Sequence, residues 1–236
     1  MKILVLMAGI GSRFKVAGYK DPKPLIDVDG VPMIERVIEN LTPKYREHQF
    51  VFVTLSATSD ERLTKILRSH RGTIIELPYL TEGAVESALK AENLITEEPL
   101  LLSSCDQLVG IPIDDFIDAC WRFDGGLLTH PQTDGHFSFS KVVDGLVTEV
   151  AERKPISTHA NIGPFFFKRG TDFVKAAKEM MAENFRVNGE FYCAPVFNWL
   201  IRDGKKIVIH EITQEQTHML GTPEELGLYL KVRGEA

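Results

Sequence analysis

A short apolar run, Ile3-Leu4-Val5-Leu6-Met7, leads without a spacer into Ala8-Gly9-Ile10-Gly11-Ser12-Arg13-Phe14. A run this dense in large apolar residues reads as a buried strand, the kind that parallel sheets enclose between helices. The small residues after it let backbone amides approach an anion closely, so the loop is either a phosphate cradle or a plain strand-to-helix turn. As a secretory leader the run is too short, and Gly9, Gly11 and Arg13 interrupt it.

The same grammar continues. Residues 50–55, 73–77 and 100–105 form three more apolar runs with amphipathic stretches between them, which is how a parallel sheet with crossover helices is written. Pro32 opens a helix with Met33, Ile34, Val37, Ile38 and Leu41 on one face. Ser59 caps the next, with Leu63, Ile66 and Leu67 inward and Asp60 and Glu61 in the first turn. Residues 83–94 and 112–123 supply the third and fourth helices. After residue 125 the pattern changes: 137–143 and 146–150 flank Asp144-Gly145, a hairpin signal, so the sheet becomes mixed. A strand over 162–168, helices over 171–184 and 191–203, and a strand over 206–212 follow. Thr222-Pro223-Glu224-Glu225 reads as N-cap, N1 proline and capping-box glutamate. Trp121 and Trp199 fall on apolar helical faces and are expected in the core. The fold class is α/β, a Rossmann-like mixed, mostly parallel sheet with flanking helices.

Charge and composition exclude several classes. A net charge of -6 without a concentrated run of Lys and Arg lacks the footprint of a nucleic-acid binder. With 44% hydrophobic and 25% charged residues the chain is ordinary and globular, and no stretch approaches a membrane span. Cys105, Cys120 and Cys193 show no zinc-ligand spacing and read as buried thiols in a reducing, cytoplasmic setting. No two of the seven histidines form an HExxH pair, and His136, His159 and His218 receive no role.

Two familiar phosphate motifs do not fit the glycine loop. A dinucleotide fingerprint needs a third glycine where Phe14 stands, and an acidic residue after the second strand, which ends Val53-Thr54-Leu55. A P-loop needs Gly-Lys-Ser/Thr, and this loop has Gly-Ser-Arg. What the loop does have is its own Arg13 and, shortly after, Asp21-Pro22-Lys23-Pro24-Leu25, in which two prolines stiffen the backbone around Lys23. Leu100-Leu101-Leu102 runs into Ser103-Ser104-Cys105-Asp106, so a carboxylate emerges at the carboxyl end of a buried strand, where open α/β sheets bind ligands. Asp106 is a candidate Mg²⁺ ligand.

With these residues in place the chain resembles the sugar-phosphate nucleotidyltransferases, or nucleoside-diphosphate-sugar pyrophosphorylases. The resemblance rests on Met7-Ala8-Gly9-Ile10-Gly11-Ser12-Arg13-Phe14, Lys23-Pro24-Leu25, Gly83-Ala84, the strand ending at Asp106, Glu152-Arg153-Lys154-Pro155, Asn161-Ile162-Gly163 and Gly221-Thr222-Pro223-Glu224-Glu225-Leu226, in matching order. Ser104-Cys105-Asp106-Gln107 and Gly189-Glu190-Phe191-Tyr192 are similar to a bacterial subgroup associated with capsule and surface-polysaccharide biosynthesis. The resemblance implies a GT-A-like fold in one domain, 1–236, with a nucleotide-binding half (1–130) and a substrate-binding half (131–236). It implies that Ala8, Gly9, Gly11, Ser12 and Arg13 hold the NTP phosphates, that Gly83 lies against the nucleoside and that Lys23 contacts the reacting phosphates. By the same resemblance Asp106 binds Mg²⁺, and Glu152, Lys154 and Asn161 face a sugar 1-phosphate or similar small phosphorylated substrate.

The chain departs from the family pattern twice. Met219 stands where many members carry a second metal-binding Asp, and Leu77-Pro78-Tyr79-Leu80 lacks the Gln of uridylyl and thymidylyl members. Ile26-Asp27-Val28-Asp29-Gly30-Val31 echoes the aspartyl nucleophile of haloacid-dehalogenase-like phosphatases, but prolines precede it where a buried strand is needed. A non-catalytic sugar-nucleotide-binding protein of the same fold is the other alternative.

Overall fold

The computed structural model describes residues 1–234. Its strands are β1 (Lys2–Met7), β2 (Asp27–Val28), β3 (Val31–Pro32), β4 (Gln49–Leu55), β5 (Thr73–Leu77), β6 (Leu100–Ser104), β7 (Gln107–Val109), β8 (Gly125–Pro131), β9 (Ser138–Val143), β10 (Leu146–Glu152), β11 (His159–Phe167), β12 (Ile207–Glu211) and β13 (Thr217–Met219). Its α-helices are α1 (Ser12–Val16), α2 (Met33–Leu41), α3 (Glu61–Ser69), α4 (Ala84–Leu89), α5 (Ile113–Cys120), α6 (Gly170–Ala182), α7 (Phe197–Arg202) and α8 (Pro223–Gly234).

β1 shows why its sequence is apolar throughout. Ile3, Val5 and Met7 enter one core with α2 and α5, while Leu4 and Ala8 enter a second with α4, α6 and α7. Both faces of the strand are therefore covered, and no position is left for polar alternation. β6, β1, β4 and β5 run parallel in that order. β11 then joins this parallel block to the second half of the sheet. Its Phe165, Phe166 and Phe167 pair antiparallel with β6, its Ala160 and Asn161 pair with β9, and β8 runs along it as well. β12 continues parallel to β8, and β10 closes the hairpin with β9. The sheet is mixed and mostly parallel in its nucleotide-motif half, as the sequence indicates.

The hairpin turn is confirmed in detail, with φ of 51° at Asp144 and 78° at Gly145, the paired positive angles that tight two-residue turns require. Other expectations are corrected. Asp60, not Ser59, caps α3: its side chain accepts the Leu63 N–H at 2.9 Å, while Ser59 closes the preceding 3₁₀ turn. The helix expected over 83–94 stops at Leu89 and resumes as a 3₁₀ turn at Glu92–Leu94. The helix expected over 191–203 is a 3₁₀ turn, Ala194–Val196, followed by α7. Thr222 does cap α8, accepting the Glu225 N–H at 3.1 Å, but no return bond from the Glu225 carboxylate is seen among the described residues. Trp199 is buried, whereas Trp121 is 39% exposed beneath the side chains of Arg46 and Lys168.

The sequence reading missed β8 altogether. Gly125-Gly126 looks like a turn, yet both glycines are strand residues with neighbours pressed against them. A Cβ on Gly126 would meet Cys120 Sγ at 2.1 Å, and one on Gly125 would meet Phe197 at 2.9 Å. All three cysteines are buried and free, as expected. No helix among the described residues is long and apolar enough to cross a membrane.

Candidate active site

The glycine loop leaves the carboxyl end of β1, and one glycine in it is required by geometry. Gly11 has φ of 62°, and a Cβ there would lie 3.2 Å from the Lys23 Cβ, so a side chain would be both strained and crowded. Phe14 and Lys15 donate their N–H groups to the Gly11 carbonyl at 3.1 Å each, which turns the chain into α1. Among the described residues the amides of Gly9, Ile10 and Gly11 have no hydrogen-bond partner. Free, exposed amides at a strand-to-helix turn are the donors an anion uses.

Lys23 begins a 3₁₀ turn with Pro24 and Leu25, both buried, which fix its backbone as the flanking prolines suggest. Its Nζ donates to Asp106 Oδ2 at 2.5 Å and to the Gly221 carbonyl at 3.4 Å. One ammonium thus ties together the glycine-loop side, the end of β6 and the Gly221-Thr222 motif. The pair is part-buried, with side chains 15% and 23% exposed. Burial works against the charged Asp106 carboxyl, but Lys23, a hydrogen bond from Ser104 and the nearby Arg13 outweigh it and hold its pKa below the usual carboxylate range. Met219 pairs with Gln107 in the short β7–β13 ladder directly beside Asp106, whose carbonyl accepts the Leu220 N–H at 2.7 Å.

Next to the ion pair opens a cavity of about 760 Å³. Ala8, Gly9, Ser12 and Gly83 line it from the expected nucleotide side, and Glu152 and Asn161 line it from the opposite side. Gly11, Arg13, Lys23 and Asp106 stand beside it rather than in its wall. Lys154 is exposed and is not brought to the wall, and its neighbour Arg153, at φ of 55°, instead lies over the Tyr192 ring at 5.7 Å. Burial pushes the Glu152 carboxyl up to about 7, against the opposing pull of Arg153. Asn161 is buried and its orientation is fixed, its Oδ1 accepting from Ser140 Oγ at 2.6 Å and one Nδ2 hydrogen donating to Ser138 Oγ at 3.1 Å.

Gly83 is held by a partner far along the chain. Phe191 N–H donates to the Glu82 carbonyl at 3.0 Å and Val85 N–H to the Phe191 carbonyl at 3.1 Å, and a Cβ on Gly83 would fall 2.4 Å from the Phe191 nitrogen. Arg186 reinforces this link, bonding Glu82 at 2.6 Å while its guanidinium covers the Phe191 ring at 3.9 Å.

Thr81, His136 and Ser138, to which sequence reasoning gave no role, also line the cavity, as do Gln107, Glu190 and Tyr192 from the two segments of the subgroup resemblance. Ser138 had a readable signal, a serine within an apolar strand; Gln107 had its place in the segment ending the fourth strand, and His136 had none. Asp27, the rival nucleophile, is exposed in β2 and accepts the Gly30 N–H at 3.0 Å, so its motif is a surface turn. Cys105 and Cys193, pushed up to about 12 chiefly by burial, are inert thiols.

A glycine loop at the carboxyl end of a parallel strand, beside a lysine–aspartate pair and a largely apolar cavity with a few polar groups, is the layout of an NTP transferase domain of the kind carried by nucleoside-diphosphate-sugar pyrophosphorylases. The chain belongs to the MobA-like NTP transferase domain family, which it matches over residues 3–139. Its fold is similar to that of the nucleoside-diphosphate-sugar pyrophosphorylase from Vibrio cholerae, with a TM-score of 0.86 and 25% identity over 97% of this chain and 99% of that one. The inositol-1-phosphate CTP transferase from T. maritima shares the fold at a TM-score of 0.75 and 19% identity, over 98% of this chain and 95% of that one. Among curated relatives, the low-salt glycan biosynthesis nucleotidyltransferase Agl11 of Haloferax volcanii is 24% identical over 96% of this chain and 64% of its own length. Mannose-1-phosphate guanyltransferase beta-B of Xenopus laevis is 26% identical over 50% of this chain and 34% of its own. The chain therefore spans less than two thirds of the curated relatives it matches.

Proposed function

We propose that this protein transfers a nucleoside monophosphate from an NTP to a sugar 1-phosphate or a similar small phosphorylated acceptor, releasing pyrophosphate. The observation that carries this reading is the Lys23–Asp106 pair, which joins the glycine-loop side to the Gly221 carbonyl beside a cavity that Gly9, Ser12 and Gln107 line. In the reaction an acceptor phosphate oxygen forms a bond to the α-phosphorus while the bond to the β-phosphate bridging oxygen breaks. Both products are anions and no protein nucleophile is needed, so positioning and charge neutralisation carry the catalysis. The glycine-loop amides with Ser12 and Arg13 hold the triphosphate, and Lys23 neutralises the reacting phosphates. Residues 1–130 form the nucleotide half and 131–236 the acceptor half, where Glu152 and Asn161 meet the acceptor. Lys154 joins them only if its exposed side chain turns inward over the acceptor phosphate.

The oxygen donors here suit Mg²⁺, which takes one or two carboxylates and completes its shell with water and phosphate oxygens. Asp106 supplies one carboxylate. Glu225 Oε2, buried without a hydrogen-bond partner, lies 3.1 Å from the position of a Cβ on Gly221, and Asp106 Oδ2 lies 3.3 Å from the same point. No group of three or more His, Cys, Asp or Glu gathers among the described residues, in keeping with a shell completed by phosphate and water. When bound, the ion supplies charge neutralisation of the triphosphate.

The Haloferax relative supports a role in glycan precursor supply, here read as surface polysaccharide synthesis in the cytoplasm. The test is a pyrophosphate-release screen crossing ATP, CTP, GTP and UTP with sugar 1-phosphates and phosphorylated alcohols, with Mg²⁺ or with EDTA. Metal-dependent release for at least one pair is expected. Tight NTP binding with no release across the panel would replace this reading with a non-catalytic nucleotide-binding protein.

A further inference from the structure

The acceptor side of the cavity carries an aligned row that the glycine-loop argument does not use. Ser138 on β9 sits directly opposite Glu152 on β10 and directly opposite Asn161 on β11. Residues paired across strands point to the same sheet face, with Cβ atoms about 4.5–5.5 Å apart. All three line the cavity, so the wall there presents a carboxyl, a hydroxyl and a carboxamide at one level.

The hydrogen-bond inventory of Ser138 gives the row a direction. A serine hydroxyl has one proton to donate and two lone pairs to accept. Asn161 Nδ2 occupies one lone pair, and the Asn161 Oδ1 is already taken by Ser140 Oγ. Ser140 is held in turn, its carbonyl accepting from Ser157 Oγ at 2.7 Å. Among the described residues the Ser138 proton has no acceptor, although the residue is 6% exposed and faces the cavity. A nearly buried hydroxyl whose orientation is set from behind and whose proton is unspent is a donor awaiting an oxygen.

We propose that Ser138 is a specificity-determining residue of the acceptor site, donating a hydrogen bond to a ring hydroxyl of a polyhydroxylated acceptor such as a sugar or cyclitol phosphate. This rests on the nucleotidyl-transfer reading and narrows its acceptor. The row pairs the Ser138 donor with a Glu152 acceptor on one sheet face, which two hydroxyls of one ring can meet together. A phosphorylated quaternary ammonium alcohol has no ring hydroxyl to accept from Ser138 and none to donate to Glu152.

The test compares wild type with Ser138→Ala on the best acceptor from the screen and on its monodeoxy analogues. For the parent acceptor KM is expected to rise about tenfold, the worth of one neutral hydrogen bond. The NTP KM and kcat should stay near wild-type values, while the melting temperature falls modestly because the buried Asn161 Nδ2 loses its acceptor. One monodeoxy analogue should show the same KM with both proteins, because the bond is absent from both. Unchanged KM for the parent acceptor overturns the proposal. So does an equal loss with every analogue, or faster turnover of phosphocholine or phosphoethanolamine than of any sugar or cyclitol phosphate. If wild type releases no pyrophosphate with any pair, the nucleotidyl-transfer reading fails separately. Acceptor-induced melting shifts then decide: a shift lost in Ser138→Ala keeps the assignment, and an equal shift ends it.

Discussion

Glu152 ties stability to pH through a single buried carboxyl. Its folded value is about 7 against 4.5 for a free glutamate, so between those values the folded protein keeps a proton that the unfolded chain has released. Stability should fall as pH rises through that window and level off above it, by at most about 3 kcal/mol, with burial of the charge as the cause. The buried His130 and the half-buried His218, both held below the usual histidine range, act in the opposite direction. The test is therefore the difference in stability between wild type and Glu152→Gln in denaturant titrations from about pH 4.5 to about pH 8, which should fall as pH rises through the window. The Lys23–Asp106 pair makes a different demand, because both groups are needed in their charged forms. Asp106→Ala should lower kcat by about a hundredfold or more, and Lys23→Ala should cut kcat while shifting NTP affinity little. Pyrophosphate release and nucleotide titration measure the two effects, and full activity in either variant removes that residue from the site. The placement of Lys23 and Asp106 could be argued from their neighbours in sequence, whereas Asn161 came only from the family resemblance, one residue before the strand expected over 162–168. The proline bracket and the strand end told where the first two emerge, and only the structure, in which β11 starts at His159, puts Asn161 inside a strand. Lys154 was not legible, because the left-handed Arg153 before it turns the chain, and that turn has no glycine to announce it.

At the scale of elements, the two loops that flank the cavity are one unit. The Gly83 loop and the segment through Phe191 share two backbone hydrogen bonds and the Arg186 clamp. Gly83→Ala should therefore damage both, since its Cβ meets the Phe191 nitrogen, carbonyl carbon and oxygen within 3.0 Å and φ is 142°. A loss of about 2 kcal/mol or more in denaturant unfolding is expected, together with weaker NTP binding. An alanine tolerated in both measurements would show that the loops are not coupled in this way. The hairpin and the parallel strands were readable because turn chemistry and apolar runs are local signals. β8 was not: glycines that normally mark turns are present in it because Cys120, Phe197 and Ile207 leave no room for a Cβ.

For the whole molecule, the decisive element is β11, which joins the parallel block to the second half of the sheet. The family match ends at residue 139, just inside β9, and so stops short of the strand that covers the edge of β6. A fragment of residues 1–139 should fail to fold cooperatively, because Leu100, Leu101 and Leu102 would lose the Phe165–Phe167 pairing and an apolar strand edge would lie open. Circular dichroism melts and hydrogen exchange would show a broad transition and weak protection, and a sharp transition in the fragment would contradict this. By itself the sequence determined the α/β class, the glycine loop at the end of β1 and the candidate charges on two separate segments, since each depends on residues close together in the chain. Only the tertiary structure decided that Lys23 reaches Asp106 across 83 residues, that Phe191 fixes Gly83, and that Ser138 falls between Glu152 and Asn161. Strand register and long-range packing set those contacts, and neither is encoded in the local spacing of residues.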